Sequence, residues 1–134
     1  MKEQTAVKAL IVKNNKFLML KQNVAGKTWY TLPGGRVTSS DPENELKREV
    51  KEETGLDVDI IQHIGDWFFI RETDGTKTTC KTYLCKPTHE NLDKSGSEDH
   101  EQIIEFIWIT KKQFINGKYT DNQTLLNLIS KTTL

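Results

Sequence analysis

Little in this chain of 134 residues is in excess. Its 19 Lys and Arg balance its 19 Asp and Glu, which argues against a protein that works through a bulk basic field on nucleic acid or membrane. Cysteines are limited to Cys80 and Cys85. They stand an odd number of residues apart in a strand-like run, so they face opposite ways and a bridge between them is geometrically disfavoured. Without a Cys-x-x-Cys pair they also make a poor zinc site. Two ordinary thiols suit a reducing cytoplasm. No apolar run approaches the roughly 18 residues of a spanning helix, so no membrane partner is expected. Met1-Lys2-Glu3-Gln4 brings an acid early and lacks the apolar stretch of a signal peptide. Prolines number three and glycines eight, so each marks a specific break.

The rest reads as one folded domain spanning 1–134, long enough to bury a core without disulfide or metal staples. Ala6–Val12 and Phe17–Leu20 flank a polar tip and predict a β-hairpin. Val24–Lys27 is a loop, and the run Trp29–Leu32 stops at Pro33-Gly34-Gly35, a breaker whose bare backbone can approach a ligand. Arg36 and Val37 resume an extended path into the polar loop Thr38–Asp41. Asp41-Pro42 is a helix start, with a capping carboxylate before proline at the first helical position. The helix is expected over Pro42–Thr54, closed by Gly55. A strand follows within Asp57–Ile70, with a break near Gly65-Asp66. Thr73-Asp74-Gly75-Thr76 reads as a hairpin turn with the Asp-Gly signature, and Thr78–Lys86 as an alternating strand. Pro87–His100 is a long polar stretch, of the kind that is usually functional or mobile. Ile103–Ile109 is a strand, Lys111–Ile115 a helical turn, and Thr120–Ser130 an amphipathic helix. Strands, helix, strands, helix suggests an α/β architecture with a mixed sheet between helices.

The chemistry concentrates on the first helix. At the helical period Glu45, Glu49, Glu52 and Glu53 share an arc of about 100°. Like charges at i, i+4 cost about 0.2–0.5 kcal/mol per pair, and Glu45–Glu49 and Glu49–Glu53 are both such pairs. A divalent cation would turn that repulsion into attraction. Hard oxygen donors without nearby His or Cys favour Mg²⁺ or Mn²⁺ over Zn²⁺. Spacing alone leaves a solvated acidic face open, neutralised in part by Lys47, Arg48 and Lys51. The Gly-Gly turn upstream shifts the balance, because carboxylate-held metal beside open backbone is a standard pyrophosphate site.

Leu32-Pro33-Gly34-Gly35, followed by Arg48-Glu49-Val50-Lys51-Glu52-Glu53-Thr54-Gly55-Leu56, resembles the Nudix box. The second half matches at every fixed position. One departure stands out: the slot of the early box glutamate holds Ser40 counted from Gly34, or Asp41 counted from Gly35. In the family that glutamate braces the loop against the helix arginine. The resemblance implies an α/β/α sandwich with a mixed sheet. It also implies metal-dependent hydrolysis of a pyrophosphate bond in a nucleoside diphosphate-linked substrate. By matching position, Glu49, Glu52 and Glu53 would hold Mg²⁺ or Mn²⁺, with the Gly35 carbonyl. Glu49 or Glu52 would assist the water, and Arg48 would orient the glutamates. Family members often bring one more acid from the region before the last strand, and of Glu98, Asp99 and Glu101 the preferred candidate is Glu101.

Outside the box, Arg36 next to Gly35 is a candidate for a phosphate contact, with a plain surface arginine as the alternative. Trp67, Phe68 and Phe69 alternate faces; core packing accounts for one side, and Trp67 or Phe69 could stack on a base. Tyr119 could line a base pocket, although capping by Thr120 or Asp121 explains that segment equally well. His63 and His89 show no ligand spacing. The expected partner is a small nucleotide; nucleic acid enters only as an RNA 5′ end, and a homodimer is compatible with the sequence. A nucleotide sensor without catalysis is the alternative, and loss of a box glutamate would mark it; none is lost.

Overall fold

A computed structural model describes residues 2–93 and 102–134. Glu101, with Glu98 and Asp99, lies outside the described residues.

The first strand, β1 (Glu3–Lys13), organises the sheet. Its tip turns through Asn14 and Asn15, both at positive φ, into β2 (Lys16–Val24). Ala25 and Gly26, also at positive φ, make the tight connection to β3 (Lys27–Thr31). Next comes β4 (Gly34–Arg36), a strand where the Pro-Gly-Gly run predicts only a break. It forms because β1 supplies an antiparallel partner, with Val7 opposite Gly35 and Ala6 opposite Arg36. The chain then makes helix α1 (Pro42–Thr54), strands β5 (Val58–Ile70), β6 (Lys77–Pro87) and β7 (Ile103–Thr110), and helices α2 (Lys111–Asn116) and α3 (Gln123–Lys131).

The sheet is mixed. Its strand order is β3-β2-β1-β6-β5, with β4 added to β1 and β7 added to β2. The β1–β6 pair is parallel, and the others are antiparallel. Period-two alternation on β1 splits the core between two faces. Val7, Ala9 and Ile11 meet Leu46 and Val50 of α1. Ala6 and Leu10 belong to the opposite core, with Phe114 of α2 and Leu125, Leu128 and Ile129 of α3. Cys80 and Cys85 fall in opposite cores, and both are free and buried.

Three expectations need correction. β5 does not break at Gly65; it runs through with bulges. Gly65 is there because the bulged strand takes φ 143° at that point, and a Cβ would also sit 2.7 Å from Leu128 Cδ1, where α3 lies close on the strand. The β5–β6 connection is wider than Thr73–Thr76, since β5 ends at Ile70 and β6 begins at Lys77. Arg71 N–H donates to Thr76 O and Gly75 N–H donates to Arg71 O, while the Asp74 carboxylate grips the Arg71 guanidinium and Thr76 N–H. The cap of α3 is Asn122 rather than Thr120 or Asp121, its side chain accepting from Thr124 N and Leu125 N.

Candidate active site

Helix α1 is set at both ends by its own sequence. Asp41 Oδ1 accepts from Asn44 N at 3.2 Å, and Pro42 follows at the first turn. At the far end Gly55 takes φ 77° and donates to Lys51 O. Leu46 and Val50, one turn apart and fully buried, dock the helix on the sheet. Burial of each contributes about 1.5–3 kcal/mol, several times the repulsion between neighbouring glutamates. The apolar stripe therefore holds the acids in place against their own charge.

The segment after Pro33 runs back along the acidic face. Gly34 N–H donates to Glu53 Oε1 at 2.7 Å. Gly35 lies so close to Glu49 that an added Cβ would meet Glu49 Cδ at 2.7 Å. Thr38 and Ser39 reach Glu45. Glu53, Glu49 and Glu45, one helical turn apart, thus each meet a successive point on one returning strand and loop. The two glycines are required for different reasons. Gly34 has φ 149° with Val7 O in the place of a side chain, whereas Gly35 is constrained by Glu49.

Arg48 gathers the remaining charge. Its guanidinium is 3.0 Å from Glu52 Oε1, 3.3 Å from Glu49 Oε1 and 4.0 Å from Glu45 Oε1. Burial raises the Glu49 carboxyl above the ordinary carboxylate value, opposed by the charge of Arg48 and reinforced by that of Glu52. Glu45 moves the other way. The Thr38 hydroxyl above all, then the Thr38 and Ser39 amides, hold it at about 2.

Among the described residues no group of three or more His, Cys, Asp or Glu already converges on one point. The donor chemistry nonetheless fits a hard divalent cation. Glu49 and Glu52 share one arginine with Glu45, Glu53 accepts from the Gly34 amide, Glu49 is partly desolvated, and the glycine backbone leaves no side chain between strand and carboxylate. A groove of about 580 Å³ lies at the other end of the sheet, between residues such as Asn14, Leu84, His89 and Leu134. None of the box glycines or acids lines it, so it plays no part in this reading.

Of the candidates outside the box, Arg36 and Trp67 share one row across the sheet. Arg36 pairs with Ala6, Ala6 with Cys80, and Cys80 with Trp67. Phe69 lies two rows on, opposite Thr78 and on the same face, with its ring 6.0 Å from that of Trp67. Trp67 is 6% exposed, and its Nε1–H has no hydrogen-bond partner among the described residues. Tyr119 is half-buried and joins the core instead of standing open, with Tyr30 edge-on at 5.0 Å and Phe114 stacked at 6.3 Å. His63 pairs with Asp66 and His89 with Asp57.

A model of the NUDIX domain family matches residues 2–129. The chain belongs to the Nudix hydrolase family. No curated protein matches the sequence. Among solved structures, this Nudix chain resembles a MutT protein from Methanosarcina mazei Go1 (TM-score 0.81, 20% identity, 97% of this chain and 92% of that one). It also resembles an Ap4A hydrolase of C. elegans (TM-score 0.75, 21% identity, 96% and 93%). A third is an ADP-ribose pyrophosphatase of Streptococcus suis 89-1591 (TM-score 0.66, 17% identity, 98% and 94%). At these identities the likeness is one of fold.

Two features of this Nudix site were missed in the sequence. Spacing puts Glu45 on the acidic arc without separating it from the other acids, yet its carboxylate is turned to Thr38 and Ser39. Lys8 was passed over. Its ammonium reaches Thr31 Oγ1 and Leu32 O, and its charge favours the ionised form of Glu49. A single lysine inside Ala6-Val7-Lys8-Ala9-Leu10 is the signal that could have found it.

Proposed function

We propose that the chain hydrolyses a pyrophosphate bond in a nucleoside diphosphate-linked substrate, with Mg²⁺ or Mn²⁺ held by Glu49, Glu52 and Glu53 and by the Gly35 carbonyl. The observation that carries this reading is the row of glutamates laid against the glycine strand, where Glu49 touches Gly35 and Glu53 accepts from Gly34. When bound, such a cation neutralises phosphoryl oxygens and acidifies a water. The chain's own groups do the rest. Arg48 aims Glu49 and Glu52 through its two ion pairs, and one of these two carboxylates takes the proton of the attacking water. Helix α1, docked by Leu46 and Val50, keeps that geometry rigid.

The substrate's nucleoside side is assigned to the face away from α1. Gly35 faces the helix, while Arg36, the next residue, shares the opposite face with Trp67 and Phe69. Arg36 is placed to meet a phosphate and the exposed Phe69 offers a ring to a base, while Trp67, buried in the core, supports the Phe69 ring from beside it. Tyr119, packed on Tyr30 of β3 at the other edge of the sheet, has no part in this wall. The structural neighbours carry the names of proteins acting on different nucleotides, so the reading stops at the substrate class. The buried free thiols support a reducing, cytoplasmic setting. Among the described residues no helix is long and apolar enough to cross a membrane.

The test is Glu52→Gln. Turnover on any good substrate falls at least about 10²-fold, the scale of a lost base or ligand, while the metal-free protein keeps its melting temperature. Turnover within threefold of wild type on every substrate overturns the assignment.

A further inference from the structure

Glu45 is the one buried acid of α1, 8% exposed in the first turn of the helix. A carboxylate there is unfavourable unless it is matched. It is matched from outside the helix: Thr38 N–H donates to both oxygens at 3.1 Å, Thr38 Oγ1–H donates at 2.7 Å, and Ser39 N–H donates at 3.1 Å. These donors are neutral backbone and hydroxyl groups, so they fix geometry without cancelling charge. The charge is left to Arg48, 4.0 Å away.

We propose that Glu45 is a positioning residue of the metal site, clamping the 38–39 loop to α1 and thereby setting both the Gly35 strand and the Arg48 guanidinium. The proposal rests on the functional reading above and deepens it. Two physical routes lead from Glu45 to the site. Through the loop, Thr38 stands three residues beyond Gly35, and the contact of Gly35 with Glu49 depends on where that strand lies. Through charge, Glu45 is the third carboxylate around Arg48. With Glu45 neutral, Arg48 binds Glu49 and Glu52 more tightly and competes with a cation for the same oxygens. The clamp also accounts for the departure in the box. Ser40 and Asp41 are exposed, and Asp41 is occupied as the helix cap, so the acid that braces this loop comes from the helix.

The role separates from simple support by the affinity of the folded protein for a cation. Mn²⁺ binding is titrated by electron paramagnetic resonance in wild type, Glu45→Gln and Thr38→Val, beside metal-free melting curves. Glu45→Gln keeps the shape but turns an amide NH₂ toward N–H donors and removes the charge. Its Mn²⁺ affinity falls at least about tenfold, as for other residues that orient ligands. Thr38→Val removes only the hydroxyl donor; it melts within about 4 °C of wild type and binds Mn²⁺ about two- to fivefold more weakly, a fraction of the effect of losing the whole clamp. Should Glu45→Gln fail to fold, Thr38→Val decides alone. Folded variants with wild-type Mn²⁺ affinity overturn the proposal and leave the functional reading standing. A wild type that binds no Mn²⁺ overturns both.

Discussion

Replacing Gly35 by alanine should silence the site while leaving the fold nearly untouched. The new Cβ would lie 2.7 Å from Glu49 Cδ, 2.9 Å from Oε2 and 3.0 Å from Oε1. Ordinary contact begins at 3.4 Å, so the carboxylate must retreat by about 0.7 Å. Glu49 can do this, because the clash is with the far end of a flexible side chain. An off-rotamer side chain costs about 0.5–1.5 kcal/mol. Alanine in place of glycine returns about 0.4–1 kcal/mol by restricting the unfolded chain, since Gly35 does not need a positive φ. The two nearly cancel, and the melting temperature should stay within about 4 °C of wild type. Function is not protected in this way, because misplacing a reacting group by about 1 Å can cost 10²-fold. Gly34→Ala is the internal control. There the Cβ would lie 2.0 Å from Val7 O and 2.9 Å from Lys8 Cα, both backbone, with φ at 149°. Strain of about 1–3 kcal/mol adds to disruption of the β1–β4 pair, so this neighbour should lose stability first. The assay is a melting curve and a turnover measurement on both variants. A Gly35→Ala protein with wild-type turnover, or one destabilised as much as Gly34→Ala, would refute the account of Glu49 against the strand.

Other outcomes follow from single contacts. Glu53→Ala removes the Glu53 Oε1 acceptor of Gly34 N–H and should cost about 1–3 kcal/mol in a denaturant titration, whereas Glu53→Gln keeps an acceptor oxygen and should cost much less. Asp41→Ala removes the cap of α1 and should cost about 0.5–2 kcal/mol of stability with far less loss of turnover than any box glutamate. Arg71, first, and the Thr76 amide hold the Asp74 carboxyl well below its ordinary value. A lowered folded value means stability that is complete above the unfolded value of about 3.9 and is lost as pH falls below it. The melting-temperature gap between wild type and Asp74→Asn should therefore be constant from neutral pH to about 5 and shrink below about 4. A gap that widens in acid would contradict the sign.

The sequence carried the helix and its acids because those signals are local. Asp41-Pro42, Gly55 and the stripe of Leu46 and Val50 each act within a turn or two. It misjudged elements whose cause is a distant partner. Gly34–Arg36 is a strand only because β1 lies beside it, and Gly65 fits a continuous β5 through its φ of 143° and the space it leaves Leu128 of α3. The same limit applied to Glu45. A helical wheel puts it with Glu49 and Glu53, but only the folded loop brings Thr38 and Ser39 to its oxygens. The Arg48–Glu52 ion pair is legible for the opposite reason, since i, i+4 spacing on one helix brings the two within reach.

The central claim is that these glutamates serve metal-dependent cleavage of a pyrophosphate bond. Phosphorus NMR of the wild-type protein mixed with a panel of nucleoside diphosphate-linked compounds tests it most directly. With Mg²⁺ present, at least one compound should lose its pyrophosphate signal and gain that of a phosphate monoester. Excess chelator should stop the change, and added Mg²⁺ should restart it. Cleavage that continues undiminished in excess chelator, or none across the whole panel with Mg²⁺ and with Mn²⁺, would contradict the account.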